Sequence, residues 1–284
     1  MSFILYQNQL LPREKGKVDM EDRGYQFGDG IYEAIRVYSG QMFLLEGHMK
    51  RLVRSARELR IKLPCSIENL TDNLKQLIKR NAIGDGMVYF QITRGAAPRK
   101  HYFPDGVSPV LTGSATLFPR DKHREEGIKV VLAEDIRWLR CDIKTLNLLG
   151  NVLAKQKAHE NGAEEAIQHR GDIVTEGASS NVFIVRGGKL ITHPADHYIL
   201  NGITRLFVLD LASKLNIPVV ERTFTLEELF AADEAFITST GNEVKPVTQI
   251  DDHPVSDGKA GEITLKLAEA FDRAVNRVKG ATLS

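Results

Sequence analysis

Lys144 stands where a lysine could take part in chemistry. It lies in the stretch RWLRCDIKTLNLLGNVLAKQKA, residues 137–158, directly before an apolar run. A lysine on the surface would lay its methylene stem over apolar neighbours and keep its ammonium group in water. A lysine desolvated in a pocket has a lowered pKa, and its free amine can attack a carbonyl group. The local sequence leaves both interpretations open.

Glu176 is a second candidate, within DIVTEGASSNVFIV at residues 172–185. It precedes a cluster of small residues that includes Ser179 and Ser180. An ordinary turn glutamate in solvent would fit this setting. A carboxylate at the mouth of a strand can also hold a pyridine nitrogen protonated, which makes such a ring an electron sink.

Two segments contain residue types that bind phosphate. NGITRLF opens a predicted helix at Ile203 and Thr204, where free backbone N–H groups attract an anion. TSTGNEV follows a predicted strand and contains Thr240, and Arg51 could add positive charge. Each has an ordinary alternative, because threonine commonly caps helices, Ser/Thr/Gly clusters are common in turns, and most helix arginines are solvated.

The stretch TRGAAPRKHYFP, residues 93–104, concentrates positive charge. It could be an exposed basic loop. It could also be a binding site for a substrate carboxylate, called the carboxylate trap below. In such a site the Arg99 guanidinium donates to both carboxylate oxygens and His101 adds a further donor. Lys100 lies between them and could favour dicarboxylic substrates, or it could simply point to solvent.

Alternating and helical patterns predict the elements that must position these residues. The predicted helices lie within residues 46–61, 66–83 (with Ser66 as N-cap), 147–162, 203–215 and 261–275, and a capping box joins Thr225 to Glu228. The predicted strands lie within residues 33–45 (two strands around Ser39-Gly40), 86–95, 108–118, 128–134, 179–193 (a hairpin at Gly187-Gly188) and 234–240. Helices and strands do not alternate strictly, which favours an α+β fold in two domains over a doubly wound sheet.

A change in composition divides the chain. The charged stretch PRDKHREEG lacks large apolar residues, so residues 119–124 are predicted to be an interdomain linker. The prediction is therefore a small N-terminal α/β domain at residues 1–118 and a larger C-terminal α+β domain at residues 125–284 that carries Lys144.

Composition excludes several classes of function. The 284 residues carry a formal net charge of +1, which argues against a nucleic-acid or anionic-membrane footprint. Apolar runs are shorter than the roughly 18 residues needed to span a bilayer, and the N-terminus lacks the pattern of a signal peptide. Two cysteines in a chain of this length are typical of free thiols in the cytoplasm. The eight histidines show no metal-binding spacing, and no G-x-S-x-G precedes a helix.

The order of these signals is more specific than any one of them. DRGYQFGDGIYE, TRGAAPRKHYFP, TEGASSNVF, LNGITR and TSTGNEVKPV, with the stretch around Lys144, occur in an order and spacing that resembles the fold-type IV pyridoxal-phosphate-dependent aminotransferases. Within that family the chain is most similar to the members specific for D-amino acids of the D-alanine type. The resemblance covers nearly the whole chain and implies pyridoxal 5′-phosphate (PLP) as cofactor.

The resemblance also implies roles for individual residues. Lys144 is similar to the Schiff-base lysine, and Glu176 to the carboxylate that pairs with the pyridine nitrogen. The phosphate cup is matched by Arg51, Ile203, Thr204 and Thr240, the small hydroxyl residues near the ring by Ser179 and Ser180, and the substrate carboxylate site by Tyr32, Arg99 and His101. In D-specific members the neighbouring subunit of a homodimer supplies the last two. The implied reaction exchanges the amino group of a D-amino acid with a 2-oxo acid.

Two alternatives remain open. An L-branched-chain aminotransferase or an aminodeoxychorismate lyase would keep Lys144 and Glu176 but should lack the P-R-x-H pattern found at residues 98–101. A non-catalytic PLP carrier would keep the phosphate cup and would have no need of a substrate trap.

Overall fold

The structure is a computed structural model that describes residues 2–121 and 126–280. The chain divides into two compact units. The first comprises Met1–Arg120, Ile143–Leu148 and Arg277–Ser284, and the second comprises Asp121–Asp142 and Leu149–Asn276. The domain bounds predicted above stay a prediction, and residues 122–124 of the predicted linker lie outside the described residues.

The first unit is built on an antiparallel sheet. Its strands are β1 (Phe3–Tyr6), β2 (Gln9–Pro12), β3 (Gly30–Tyr38), β4 (Gln41–Met42), β5 (Gly86–Thr93) and β6 (Val110–Leu117), in the order β2-β1-β6-β5-β3-β4. Its helices are α1 (Arg23–Phe27), α2 (Leu45–Glu58) and α3 (Ile67–Arg80), and a short 3-10 helix covers Arg13–Lys15. Apolar residues of α2 and α3 pack with one face of the sheet in a common core.

Local signals explain where these elements begin and end. The Ser66 hydroxyl accepts a hydrogen bond from the Asn69 N–H at 3.2 Å, so the predicted cap of α3 is confirmed. Ser39 and Gly40 both have positive φ, as a tight hairpin turn requires. The strand predicted after that turn is shorter than expected, because Leu44 takes a left-handed conformation and α2 begins at the next residue.

The segment that carries Lys144 belongs to the first unit because it runs beside β3. The Tyr32 N–H donates to the Lys144 carbonyl at 3.1 Å, and the Leu146 N–H donates to the Gly30 carbonyl at 3.0 Å. An antiparallel bridge joins Ile31 to Thr145 between them. Backbone pairing therefore fixes the position of Lys144 relative to the strand that contains Tyr32.

The second unit is built on a mixed sheet. Its strands are β7 (Ile128–Glu134), β8 (Glu165–Arg170), β9 (Ile173–Gly177), β10 (Asn181–Arg186), β11 (Lys189–Thr192), β12 (Val219–Glu221), β13 (Glu234–Ser239), β14 (Glu243–Ile250) and β15 (His253–Pro254). The order is β12-β11-β10-β13-β14-β7-β8-β9, with β15 on β14, and the pairs β11/β12, β7/β14 and β7/β8 are parallel. The helices are α4 (Leu149–Glu160), α5 (Ile203–Lys214), α6 (Leu226–Phe230) and α7 (Glu262–Gly280).

This architecture confirms the predicted α+β class. The hairpin of β10 and β11 turns at Gly187 and Gly188, which both have positive φ. The capping box of α6 is present, since Thr225 and Glu228 each accept a hydrogen bond from the other's backbone N–H. In the part of the chain that the structure describes, no helix combines the length and apolar character needed to cross a membrane.

Candidate active site

Lys144 lies beside an aromatic ring in the first unit. It is half-buried, and its Nζ lies 4.1 Å from the centroid of the Tyr32 ring. The Lys144 backbone N–H donates to the Ser55 hydroxyl of α2 at 3.3 Å. The structure thus brings together Lys144 and Tyr32, two residues selected from the sequence, and places Ser55 next to them.

Arg51 is held by a buried carboxylate. Its Nε and Nη2 donate to the two oxygens of Glu33, each at 2.8 Å. The Nδ1 atom of His48 lies 2.8 Å from the Glu33 Oε2 atom. Burial opposes the charge of Glu33, but the Arg51 guanidinium and His48 outweigh it and lower the pKa of Glu33 to about 2. Glu33 is therefore an anion at neutral pH, and Arg51 is oriented by it.

His48 stays neutral in this cluster. Burial lowers the pKa of His48 below its ordinary value of 6.5, and this effect outweighs Glu33, which raises it. The positive charge of Lys144 also lowers it, so the imidazole is within electrostatic reach of the lysine. Glu33, His48 and Ser55 were missed from the sequence. The signal was present, because the alternation of β3 puts Glu33 on the same face as the core residues Ile31 and Ile35, where a charge needs a partner.

The loop that carries Arg99 and His101 is exposed but anchored. The Phe27 ring centroid lies 4.9 Å from the Arg99 Cζ atom and 5.6 Å from the His101 ring centroid. Arg23 donates from Nη1 to the Lys100 carbonyl at 2.6 Å and from Nε to Asp29 at 2.8 Å. The two residues predicted to form the trap therefore share one aromatic support, and a buried arginine holds the backbone between them.

At the start of the same loop, a second buried arginine extends this anchor. Arg94 donates from Nε and Nη2 to the Asp29 carboxylate at 2.8 and 3.0 Å, and its guanidinium carbon lies 3.6 Å from the centroid of the Phe103 ring. Lys100 is exposed, with its Nζ 5.6 Å from the centroid of the Tyr102 ring.

Glu176 is a buried carboxylate in the second unit, and all its hydrogen-bond partners among the described residues are donors. Its Oε1 atom accepts from Arg137 Nη1 at 2.5 Å. Its Oε2 atom accepts from Asn181 Nδ2 at 2.9 Å and from the Leu200 N–H at 3.0 Å. Burial raises the pKa of Glu176 to about 7, while Arg137 and the Leu200 N–H oppose that rise. Because the partners are donors, the ionised carboxylate is the form that this arrangement satisfies.

The N-terminus of α5 follows Leu200, whose N–H donates to Glu176. The helix begins at Ile203, and no side chain of the described residues caps it. Gly202 precedes it, and a Cβ atom there would lie 2.1 Å from the Asn181 Oδ1 atom, so the helix start approaches Asn181 as closely as only glycine allows. The free N–H groups of this helix start can bind an anion.

Ser179 and Ser180 share a carboxylate partner. Their hydroxyl groups donate to the Glu165 Oε2 atom at 2.6 and 3.3 Å, and the Glu165 side chain is fully buried. Thr240 lies in the turn after β13 and is half-buried. The contacts predicted for Ser179, Ser180 and Thr240 with a cofactor stay predictions.

The family model for amino-transferase class IV matches residues 30–250 of this chain. The chain belongs to the class IV aminotransferases.

Relatives of this class IV aminotransferase are similar over nearly the full length. The D-alanine aminotransferase of Listeria monocytogenes is 50% identical over 98% of this chain and 97% of its own length. The D-alanine aminotransferase of Staphylococcus epidermidis is 48% identical over 97% of this chain and 98% of its own. The solved branched-chain amino acid aminotransferase of Thermobaculum terrenum, in its PLP form, superposes with a TM-score of 0.84 at 28% identity, covering 96% of this chain and 94% of that one.

The donor set around Glu176 fits the pyridine ring of PLP. A carboxylate offers about four acceptor positions, and protein donors fill three of them here. One position remains for an N–H donor such as a protonated ring nitrogen. Thr238 pairs across strands with Asn181, and its buried hydroxyl has no hydrogen-bond partner among the described residues, so it adds a polar group beside the residue that holds Glu176.

The Glu33 cluster of this class IV aminotransferase predicts a specific acid sensitivity. A carboxyl group whose pKa is lowered on folding stabilises the protein above its unfolded pKa, and this stabilisation is lost as the pH falls through the folded pKa. For Glu33 that window runs from 4.5 down to about 2 and corresponds to roughly 3 kcal/mol in the free energy of unfolding. Glu33→Gln should therefore flatten the dependence of the unfolding free energy on pH in this window, measured by urea unfolding at each pH.

Glu14→Gln is the control, because Glu14 is an exposed carboxylate of the same unit. Its pH dependence should follow that of the unchanged protein. Glu33→Gln should also be destabilised at neutral pH by about 3–5 kcal/mol, since Arg51 loses its buried partner. An acid limb as steep in Glu33→Gln as in the unchanged protein would contradict the role assigned to Glu33.

Proposed function

We propose that this chain is a PLP-dependent aminotransferase that transfers the amino group of D-alanine-type D-amino acids to a 2-oxo acid. With D-alanine and 2-oxoglutarate the products are pyruvate and D-glutamate. The observation that carries the proposal is the 50% identity to a D-alanine aminotransferase over 98% of the chain. The anchored loop with Arg99 and His101 supports it, because a carboxylate trap serves an amino acid substrate.

PLP, when bound, supplies a carbonyl group that combines with amines and a ring that accepts an electron pair from the substrate. Lys144 is the residue we propose to hold the cofactor and to act as general base on the substrate Cα proton. Tyr32, whose ring lies against the Lys144 amine, orients that amine. Glu176 keeps the ring nitrogen protonated, with Arg137 and Asn181 holding the carboxylate.

The phosphate group is assigned to the start of α5, which no side chain caps among the described residues. The N–H groups at Ile203 and Thr204 and the hydroxyls of Thr204 and Thr240 are the proposed donors. Ser179 and Ser180 are proposed to lie near the ring, with hydroxyl groups fixed by Glu165. Arg51 is proposed to add positive charge for the phosphate. Because Glu33 partly compensates that charge, Arg51 should contribute less to phosphate binding than an unpaired arginine would.

Substrate preference separates this proposal from an L-branched-chain aminotransferase. The solved relative with that activity is 28% identical, against 50% for the D-alanine enzyme. Formation of 2-oxo acid from D-alanine and from L-leucine, each offered with 2-oxoglutarate, decides between them. Turnover of L-leucine without D-alanine would overturn the D-specific proposal, and PLP binding without turnover of either would favour a carrier protein.

A homodimer is also part of the proposal. Exposed apolar side chains occur at the start of α4 and in the segment after β7; they are Leu149, Val152 and Leu153, with Ile136 and Leu139, each more than half exposed. Exposed apolar groups in such number are typical of a surface that another chain covers.

A cytoplasmic location is proposed as well, because Cys65 and Cys141 are both free thiols.

Lys144→Ala should abolish transamination and covalent retention of PLP. Loss of a general base alone typically costs ~10²–10⁴ in rate, and the loss of covalent capture adds to it. Reduction of the loaded enzyme with borohydride, followed by peptide mapping, should place the cofactor on Lys144. Lys157→Ala, which changes an exposed lysine of α4, should behave as the unchanged enzyme. A label on any other lysine would contradict the assignment.

Arg99→Ala should lower kcat/KM for D-alanine by ~10–100-fold, which corresponds to a lost charged hydrogen bond of roughly 1.5–3 kcal/mol. Arg99→Lys should also be impaired, because a single ammonium group cannot reproduce the planar fork. A plain amine without a carboxylate serves as the control substrate, and its low rate should not depend on Arg99. An equal loss for both substrates would show that Arg99 does not recognise the carboxylate.

Hybrid dimers test whether the trap is shared across subunits. The Lys144→Ala chain keeps Arg99, and the Arg99→Ala chain keeps Lys144. If the trap comes from the partner, a dimer with one chain of each kind contains one complete site, and co-expression should restore activity. If each chain uses its own Arg99, neither site is complete, and the mixture should be no more active than the Arg99→Ala chain alone.

A further inference from the structure

Asp135 is a buried carboxylate directly after β7 that is saturated with donors. It accepts hydrogen bonds from the Arg137 N–H, Nε and Nη2 at 3.1, 2.9 and 2.9 Å. It also accepts from Arg170 Nε and Nη2 at 3.2 and 3.3 Å and from the Thr175 hydroxyl at 2.9 Å. None of these contacts touches Glu176 directly.

These contacts fix the orientation of the Arg137 guanidinium. Its Nε and Nη2 edge is fixed by Asp135, and Nη2 also donates to the Tyr198 carbonyl at 3.3 Å. This leaves Nη1 directed at Glu176. The stem of Arg137 is confined as well, because Gly150 packs closely against it. A Cβ atom added at Gly150 would lie only 2.9 Å from the Arg137 Cγ atom. Asp135 thus decides which nitrogen of Arg137 meets Glu176.

The charges of this cluster balance. With Glu176 in the ionised form that its donors satisfy, Asp135 and Glu176 are the anions, and Arg137 and Arg170 are the cations. Cys141 and Tyr198 are titratable groups close to them. Burial raises the pKa of the Cys141 thiol to about 11, so it is neutral at neutral pH, and the Tyr198 ring centroid lies 5.1 Å from the Arg170 Cζ atom. Asn181 and the Leu200 N–H, which also contact Glu176, carry no net charge. Removal of one charge from such a buried set changes the proton affinity of the rest.

We propose that Asp135 is a positioning residue that acts through Arg137 and, together with Arg170, sets how tightly Glu176 holds a proton on the pyridine nitrogen of PLP. This inference rests on the proposed role of Glu176. Loss of Asp135 and loss of Arg170 should change the proton affinity of the ring nitrogen in opposite directions. Loss of the Asp135 charge leaves the cluster more positive and lowers the proton affinity at the ring nitrogen, while loss of the Arg170 charge raises it.

The experiment uses the full-length enzyme loaded with PLP that carries a ¹⁵N label in the ring, and the ring-nitrogen chemical shift is followed against pH. Asp135→Asn should lower the apparent pKa of the ring nitrogen by about one unit, and Arg170→Gln should raise it by a similar amount. Asp135→Asn should also lower kcat for D-alanine about 10-fold with little change in KM. Asp135→Glu, which restores the charge, should bring the apparent pKa back toward that of the unchanged enzyme.

Two controls make the outcomes distinct. Asp210→Asn removes a carboxylate from an exposed pair on α5 and should leave the ring nitrogen unchanged. Glu176→Gln should shift the ring nitrogen more than any other variant, and no shift there would refute the proposed role of Glu176. If Glu176→Gln shifts it while Asp135→Asn and Arg170→Gln change nothing, or both move it in one direction, the inference about Asp135 is wrong and the proposed function stands. If Asp135→Asn fails to fold, Arg170→Gln still tests the inference through the shift of the ring-nitrogen pKa, because Arg170 is partly exposed and its replacement should be tolerated.

Discussion

A buried carboxylate must be given donors, and the second unit is arranged so that Glu176 receives them. Its three donors come from three places in the chain: Arg137 after β7, Asn181 at the start of β10 and the Leu200 N–H before α5. An ionised group removed from water costs several kcal/mol unless such partners compensate. The ionised form of Glu176 is therefore stable only if the strands β7 and β10 and residues 197–201 bring these three donors to one place.

The first unit solves the same problem around Glu33. Arg51 and His48 come from α2, and Glu33 comes from β3, so the ion pair ties the helix to the strand. Ser55 of the same helix contacts the backbone of Lys144, and the strand itself pairs with the segment of Lys144. The backbone of Lys144 is thus held by two elements, which reduces the conformations that this residue can adopt.

The loop that carries Arg99 and His101 is stabilised in a different way. Arg99 and His101 are exposed, yet Phe27 supports both and Arg23 holds the carbonyl between them. An exposed arginine usually loses side-chain entropy when it binds a ligand. A prearranged loop lowers that cost, and exposure suits residues that are proposed to act in a neighbouring subunit.

The sequence alone determined what depends on near neighbours: the caps at Ser66 and Thr225, the Gly187-Gly188 turn, the helical periods of α2 and α3, and the α+β class. The order of the motifs also pointed to the family, since Lys144, Glu176 and the P-R-x-H pattern lie in short recognisable stretches. Strands such as β8 and β14 were not predicted, because their pairing is decided by partners far along the chain. For the same reason only the tertiary structure revealed that Arg51 is paired with Glu33, that Lys144 lies beside β3, and that Asp135 orients Arg137 toward Glu176. Hydrogen bonds between buried charges act over a few ångströms in space, and residues separated by tens or hundreds of positions meet at that distance only after the sheets have formed.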